Sequence, residues 1–205
     1  MPLAVSPTVK NHTWPIAVAA SGIAAAQFAR CGFDVMIQAG PDKPWYDLVV
    51  TKAGNLLKVG VKSSDDGRWR LGESYLLRAA HANAKKPDVP HAIRMWLDTH
   101  GERTLYCLVQ FEGVGLTQLP RIYLATPADI ARRMREAAER TGEPCLYEQY
   151  EWTSTESGFT TIEALPSSWL FSTERIQELL YPQAVATPPA RAVATPVLRE
   201  AVLSA

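Results

Sequence analysis

Hydrophobic and polar positions alternate along the chain in a way that predicts an α/β fold. Short apolar runs of strand length are separated by longer segments with helical spacing. The predicted helices span residues 14–31, 73–84, 90–99, 127–141 and 172–180, and the predicted strands span residues 33–38, 46–50, 56–62, 104–111, 121–125 and 146–152. This order predicts a mixed central sheet flanked by helices, with residues 112–181 as an α+β elaboration on its C-terminal side.

Turn and capping residues mark where several of these elements begin and end. Gly32 follows the first helix, and the turn at residues 53–55 joins the second and third strands as a hairpin. Thr126 precedes a proline and is predicted to cap the helix that Gly142 ends. Ser172 is predicted to cap the final helix in the same way. These signals favour one domain over residues 14–181.

Both ends of the chain and one internal segment lack these patterns. Residues 1–13, which include two prolines, are predicted to form a flexible arm. Residues 182–205 contain the sequence AVATP twice and few large apolar groups, so we predict a disordered Ala/Pro tail whose burial would not offset its ordering entropy. Residues 63–72 (SSDDGRWRLG) are polar and predict a loop.

Charge is unevenly distributed although the 205 residues carry a net charge of zero. Residues 52–103 hold ten basic against six acidic side chains, whereas residues 104–205 hold eight against twelve. The chain therefore lacks the global basic field of many nucleic-acid-binding proteins. Its mildly basic centre would suit a polyanion, and ordinary scatter of charge is the alternative interpretation.

The three cysteines and the apolar N-terminal segment bear on cellular location. Cys31, Cys107 and Cys145 are far apart and show no metal-binding spacing, which excludes zinc and redox motifs and predicts free thiols in a reducing cytoplasm. Residues 14–29 are apolar, but a proline and a glutamine interrupt them and they are too short to span a bilayer. We expect a cytoplasmic protein with no membrane partner.

An acid and a lysine occupy the two arms of the predicted hairpin. Asp47 lies near the start of the second strand and Lys62 near the end of the third. Together with the order helix, strand, hairpin, helix and strand, this pattern resembles the PD-(D/E)XK nucleases over residues 20–111. The resemblance implies a restriction-endonuclease-like core that hydrolyses DNA phosphodiester bonds with Mg²⁺ (or Mn²⁺). In this interpretation Asp47 is a catalytic metal ligand, and Lys62 offsets charge on the phosphate.

The chain departs from the pattern of the family at two positions. Gly60 stands two residues before the lysine, where the family has its second acid, and the first helix contains no acid. Glu73 is the preferred substitute as catalytic and metal-binding acid, because some nucleases of this fold carry the second acid on the following helix. Asp65 and Asp66 are the alternatives, as is the absence of any second acid.

Residues that follow the third strand are candidates for contact with nucleic acid. Ser63 follows the lysine, and Arg68, Trp69 and Arg70 combine two cations with an aromatic ring that could stack on a base. A charged loop with one packed tryptophan is the alternative interpretation. We expect a nucleic-acid partner, DNA in the first place, and the resemblance also allows a homodimer because small nucleases of this fold often pair to cut two strands.

Two functions from different classes therefore stand side by side. The first is a Mg²⁺-dependent deoxyribonuclease, which the pair of Asp47 and Lys62 favours. The second is a degenerate nuclease fold that acts as a nucleic-acid-binding or protein-interaction module, which Gly60 and the acid-free first helix favour. Fold alone does not decide between them.

Overall fold

The structure is a computed structural model, and it describes residues 13–38, 45–79, 88–154 and 158–181. Its helices are α1 (Thr13–Arg30), α2 (Glu73–Ala79), α3 (Val89–Asp98), α4 (Pro127–Thr141) and α5 (Thr173–Leu180). Its strands are β1 (Asp34–Ile37), β2 (Leu48–Lys52), β3 (Asn55–Ser64), β4 (Arg68–Trp69), β5 (Thr104–Gln110), β6 (Arg121–Ala125), β7 (Leu146–Tyr147), β8 (Gln149–Thr153) and β9 (Thr160–Ala164). The predicted arm, except its last residue, and the predicted Ala/Pro tail lie outside the described residues.

Five strands form one mixed sheet in the order β1-β2-β3-β5-β6. The pairs β1/β2, β2/β3 and β5/β6 are antiparallel, and β3/β5 is parallel. A parallel pair needs a long crossover connection, and the segment that carries α2 and α3 supplies it. The predicted fold class, a mixed sheet flanked by helices, is confirmed.

The hairpin between β2 and β3 has the turn that its sequence predicts. Ala53 and Gly54 both adopt positive φ angles, 50° and 79°. Two consecutive positive φ angles are those of a type I′ turn, whose twist matches that of antiparallel strands. The turn fixes the register, in which Leu48 faces Val59.

The sheet separates two hydrophobic cores. On one face, α1 and α5 cover apolar residues of β2, β3 and β5 that include Val59, Val61 and Cys107. On the other face, α3 and α4 pack against a second set that includes Tyr106 and Leu108. Since side chains alternate along a strand, β3 turns its even-numbered residues toward the α3 and α4 side.

Capping interactions delimit the last two helices at the predicted residues. The Thr126 hydroxyl accepts a hydrogen bond of 3.1 Å from the Asp129 amide, and Gly142 ends α4 in the left-handed conformation with a φ of 71°. The Ser172 hydroxyl accepts a hydrogen bond of 3.0 Å from the Arg175 amide at the start of α5. These capping predictions are confirmed.

Two segments differ from the sequence-based expectation. The predicted loop at 63–72 contains the end of β3 and the short strand β4, which pairs with β7. The predicted strand at 146–152 divides into β7 and β8, which belong to different sheets, and β8 forms an unpredicted hairpin with β9. Strands of two residues are too short for an alternating pattern to reveal them.

The cysteines agree with the expectation of free thiols. Cys107 and Cys145 are buried and Cys31 is half-buried, and all three are free thiols. Within the described ranges, no helix combines the length and the apolar character needed to cross a membrane.

Candidate nucleic-acid interface

The β2/β3 hairpin places Asp47 and Lys62 on neighbouring segments of the sheet. Asp47 directly precedes β2, and the register sets it beside Gly60, two residues from Lys62 on the same face of β3. Its carboxylate is buried, and Oδ2 accepts a hydrogen bond of 2.7 Å from the Val61 amide. Asp47 therefore accepts the hydrogen bond of the Val61 amide just beyond the last residue pair of β2 and β3.

Tyr106 fills the space in front of Gly60. The two residues are partners in the parallel pair of β3 and β5, and a Cβ atom at position 60 would lie 3.2 Å from Cε1 of the tyrosine ring. A hydrogen bond fixes the position of the Tyr106 ring, because its hydroxyl lies 2.7 Å from Nε2 of His100. An acidic side chain at position 60, which the PD-(D/E)XK resemblance leads one to expect, would meet this ring.

We expect the substitution Gly60→Ala to lower the free energy of unfolding by about 1 kcal/mol. Overpacking costs roughly 1–3 kcal/mol, whereas replacing a strand glycine recovers only about 0.5–1 kcal/mol of backbone entropy. Urea unfolding measures the difference, with Gly101→Ala as the control because no heavy atom lies within 4 Å of a Cβ at that position. Equal effects of the two substitutions would contradict the close packing of Tyr106.

A cavity of about 350 Å³ opens beside Lys62 on the α3 side of the sheet. We call it the Lys62 cleft, and it is lined by Trp45, Lys62, Ser63, Trp69, Arg70, Leu71, Ser74, Tyr75, Trp96, Thr99, His100 and Tyr106. Residues from four different segments of the chain thus meet in one cleft. Its lining combines cationic, hydroxyl and aromatic groups.

Aromatic rings stack around His100 at the base of the Lys62 cleft. The His100 ring centroid lies 4.6 Å from that of Trp96, 5.2 Å from that of Trp45 and 5.3 Å from that of Tyr106. Trp96 and Tyr106 are themselves in contact, at 5.6 Å. Such edge and tilted contacts hold the rings in place beyond the burial of their area.

Burial favours the neutral form of His100. Its Nδ1 lies 3.2 Å from the Leu97 carbonyl, and its Nε2 lies 2.7 Å from the Tyr106 hydroxyl. Burial lowers the pKa of His100 and outweighs the backbone carbonyls that raise it, and the positive charge of Lys62 lowers the pKa further. The pattern assigns the proton of the neutral ring to Nδ1, which leaves Nε2 to accept from Tyr106.

Acidification is therefore expected to destabilise the protein through His100. Because the folded-state pKa of His100 lies below the ordinary histidine pKa of about 6.5, the unfolded chain binds a proton near that pH that the folded chain does not bind. The free energy of unfolding should then fall as the pH is lowered from 7.5 to 5.5, and His100→Gln should flatten that dependence. Urea unfolding at several pH values measures it, and an unchanged slope in the variant would contradict the assignment.

Glu73, the preferred second acid, is the first residue of α2 and does not line the Lys62 cleft. Its carboxylate lies 3.4 Å from Nε of Arg70 and 3.6 Å from Sγ of Cys145. The alternative Asp66 binds Arg70 and Arg68. Slight burial raises the pKa of Asp66, but hydrogen bonds from the two arginines outweigh it, so the pKa is lowered.

These donors do not fit the Mg²⁺ (or Mn²⁺) site that the resemblance implies. Among the described residues, no group of three or more histidine, cysteine, aspartate or glutamate side chains could hold a metal ion. The Asp47 carboxylate binds a backbone amide, position 60 contributes no ligand, and Glu73 is engaged with Arg70. Neither Asp47 nor Glu73 lines the Lys62 cleft, so the cleft lining offers none of the carboxylates that bind Mg²⁺ in proteins.

The residues predicted to contact nucleic acid differ in how accessible they are. Ser63 lines the Lys62 cleft, as does Arg70, although Arg70 is paired with Asp66 and Glu73. Trp69 is 2% exposed, and its indole N–H donates to the Lys62 carbonyl at 3.1 Å. A ring this deeply packed favours the packed-tryptophan interpretation, but Trp69 also lines the Lys62 cleft, so its contact with a base stays a prediction.

Arg68, the remaining member of the basic tripeptide, does not line the Lys62 cleft. Its guanidinium binds Asp66 at 3.2 Å and lies 3.9 Å from Glu143. The basic tripeptide is therefore neutralised by neighbouring carboxylates. Lys62, in contrast, takes part in none of the salt bridges among the described residues.

Sequence reasoning missed the aromatic lining of the cleft. Trp96 and His100 are four residues apart, which is the spacing of neighbours on one helix face, and this was the signal that linked them. Trp45 and Tyr75 carried no comparable signal, because they come from segments that are separated in the sequence and join only in the fold. Tyr106 lies in a continuous apolar strand, and such a strand predicts buried core residues and not the lining of a cleft.

Comparison with known proteins gave weak structural likeness and no match in sequence. No family model matches the chain, and no curated protein matches it. Among solved structures, the chain is similar to the bacterial homing endonuclease I-Ssp6803I, with a TM-score of 0.42 and 17% sequence identity over 85% of this chain and 97% of that chain. At this TM-score and identity the likeness establishes neither a family nor an activity.

Proposed function

We propose that the chain is a nuclease-like protein that binds nucleic acid in the Lys62 cleft and does not hydrolyse it. One observation carries this proposal: Lys62, which forms no salt bridge among the described residues, lines the cleft together with several aromatic rings. Lysine binds phosphate, and aromatic rings bind the flat faces of bases. DNA is the preferred partner.

The chemistry of the lining supports a nucleic acid over a protein partner. Lys62 lies on the cleft side of β3 and Ser63 lines the same cavity, so the lysine ammonium suits a phosphate oxygen. Trp45, Tyr75 and His100 add ring surface to the same cavity. A nucleic acid supplies phosphates and flat rings next to each other in every nucleotide, which is the combination that this lining accommodates.

The second candidate function is Mg²⁺-dependent hydrolysis of DNA. One observation favours it, since Asp47 and Lys62 lie on neighbouring segments and on the same face of the sheet. In this hypothesis Asp47 and Glu73 would hold the metal ion and Lys62 would stabilise charge on the phosphate. The donor set described above disfavours it.

A single set of reactions tests both candidates. Fluorescence anisotropy with labelled DNA and RNA oligonucleotides measures binding, and a denaturing gel of the same samples with Mg²⁺ or Mn²⁺ measures cleavage. We expect binding that is weakened by salt, and intact oligonucleotides after long incubation. Metal-dependent cleavage that Asp47→Ala abolishes would favour the second candidate, and absence of binding to every oligonucleotide would contradict the first.

A further inference from the structure

We infer that the Lys62 cleft takes an unpaired base of a single-stranded segment, with the ring stacked on Trp45 and a flanking phosphate on Lys62. The inference rests on the proposed function and specifies its substrate class. It concerns the form of the nucleic acid rather than its sequence or its sugar.

Trp45 has the exposure and the surroundings of a stacking residue. It is 36% exposed, although it is a large apolar side chain, and it lines the cleft. Its ring meets those of Tyr46 and His100 at interplanar angles of 80° and 72°. Neither neighbour lies flat against it, so no ring contact of Trp45 among the described residues provides the parallel stacking that an indole face offers to a base.

The side of the cleft behind Trp45 is closely packed. Trp96 is 3% exposed and packs against His100, and Tyr106 is 3% exposed and binds the same histidine. A base that enters the cleft therefore meets a preformed aromatic wall and loses little of its binding free energy to ordering of the protein.

The size and charge of the cleft favour a single nucleotide over a duplex. Its volume of about 350 Å³ is near the lower end of small-ligand pockets. In a duplex the ring faces are stacked on neighbouring base pairs, and extruding one base costs roughly a few kcal/mol. Duplex binding instead relies on many phosphate contacts, whereas Arg70, the other cation of this cleft, is already paired with carboxylates.

The experiment compares three oligonucleotides of one sequence: single-stranded, blunt duplex, and duplex with a short single-stranded gap. Anisotropy should give at least tenfold tighter binding of the single-stranded and gapped forms than of the blunt duplex. Trp45→Ala should weaken binding of the single-stranded form about tenfold, since stacking of a base on an aromatic ring is of this order. Trp45→Phe should restore part of the affinity, because a smaller ring still stacks.

Controls separate a specific contact from a general loss of structure. Trp152 is half-buried on the β8/β9 hairpin and stacks with Arg140 away from the cleft, so Trp152→Ala should leave binding unchanged. Binding should quench tryptophan fluorescence in the wild-type protein and clearly less in Trp45→Phe, in which Trp69 and Trp96 still line the cleft. Equal affinity for blunt duplex and single strand, or full binding by Trp45→Ala, would overturn the inference and leave the proposed function standing. Failure to bind any of the three forms would overturn both.

Discussion

Replacing Lys62 with alanine is expected to weaken binding of a single-stranded oligonucleotide by about tenfold to a hundredfold. A hydrogen bond to a charged group contributes roughly 1.5–3 kcal/mol, and each 1.4 kcal/mol is a factor of about ten. The protein should remain folded, because the Lys62 backbone carbonyl still accepts from Trp69 and the side chain is only half-buried. Anisotropy titrations at several salt concentrations measure both the affinity and its salt dependence.

Lys58 supplies a matched control for this substitution. It lies on the same strand and the same face, four residues away, but its ammonium group sits over the Tyr46 ring and does not line the Lys62 cleft. Lys62→Ala should reduce the slope of log affinity against log salt by about 0.7, the value for one phosphate contact on a single strand. Lys58→Ala should leave the slope unchanged. Equal losses of affinity in Lys62→Ala and Lys58→Ala would show that only the net charge of the protein matters and would contradict a specific phosphate contact of Lys62.

The substitution Gly72→Ala is expected to destabilise the protein by about 3 kcal/mol, at the upper end of the cost of overpacking. A Cβ atom at this position would lie 2.6 Å from Cβ and 2.8 Å from the carbonyl oxygen of Pro144, and 3.1 Å from Cε of Met134. Backbone cannot move aside as a flexible side chain can. The Gly72 amide also donates to the Pro144 carbonyl at 3.1 Å, so the two segments cannot separate without losing that bond.

The consequence of Gly72→Ala should extend to the Lys62 cleft. Gly72 directly precedes α2, which carries Ser74 and Tyr75 into the cleft lining. Thermal unfolding should show a fall in melting temperature of about 6–12 °C, and oligonucleotide binding should weaken. Gly22→Ala is the control, because position 22 is exposed in α1 with no atom within 4 Å of a Cβ, and alanine there should stabilise by up to about 1 kcal/mol. A neutral effect at Gly72 would contradict its packing against Pro144.

Much of the fold follows from the sequence because its signals are local. The type I′ turn at Gly54, the cap at Thr126 and the end of α4 at Gly142 each depend on residues within a few positions of one another. Long apolar strands such as β5 are equally evident. The short strands β4 and β7 are not, since their pairing joins residues 77 and 79 positions apart in the chain (69 with 146, and 68 with 147), beyond the reach of a local pattern.

The candidate site was only partly predictable, because several of its contacts join segments that are distant in the sequence. Asp47 and Lys62 belong to one hairpin, so their proximity could be inferred from the spacing of the motif. The contact of Tyr106 with Gly60 arises from the parallel pairing of β3 with β5, and the burial of Trp69 arises from packing against Tyr123. These two contacts change the interpretation of the motif, because Tyr106 fills the expected position of an acid and the packing against Tyr123 leaves only 2% of Trp69 exposed.

An NMR titration tests most directly whether the Lys62 cleft is the nucleic-acid site. Amide and indole resonances of the labelled protein are followed as a single-stranded oligonucleotide is added in a buffer without metal. We predict shifts that cluster at Trp45, at Lys62 and Ser63, and at the C-terminal end of α3 around His100. Shifts confined to the β8/β9 hairpin or to the exposed face of α4, or no shift at saturating oligonucleotide, would contradict the account.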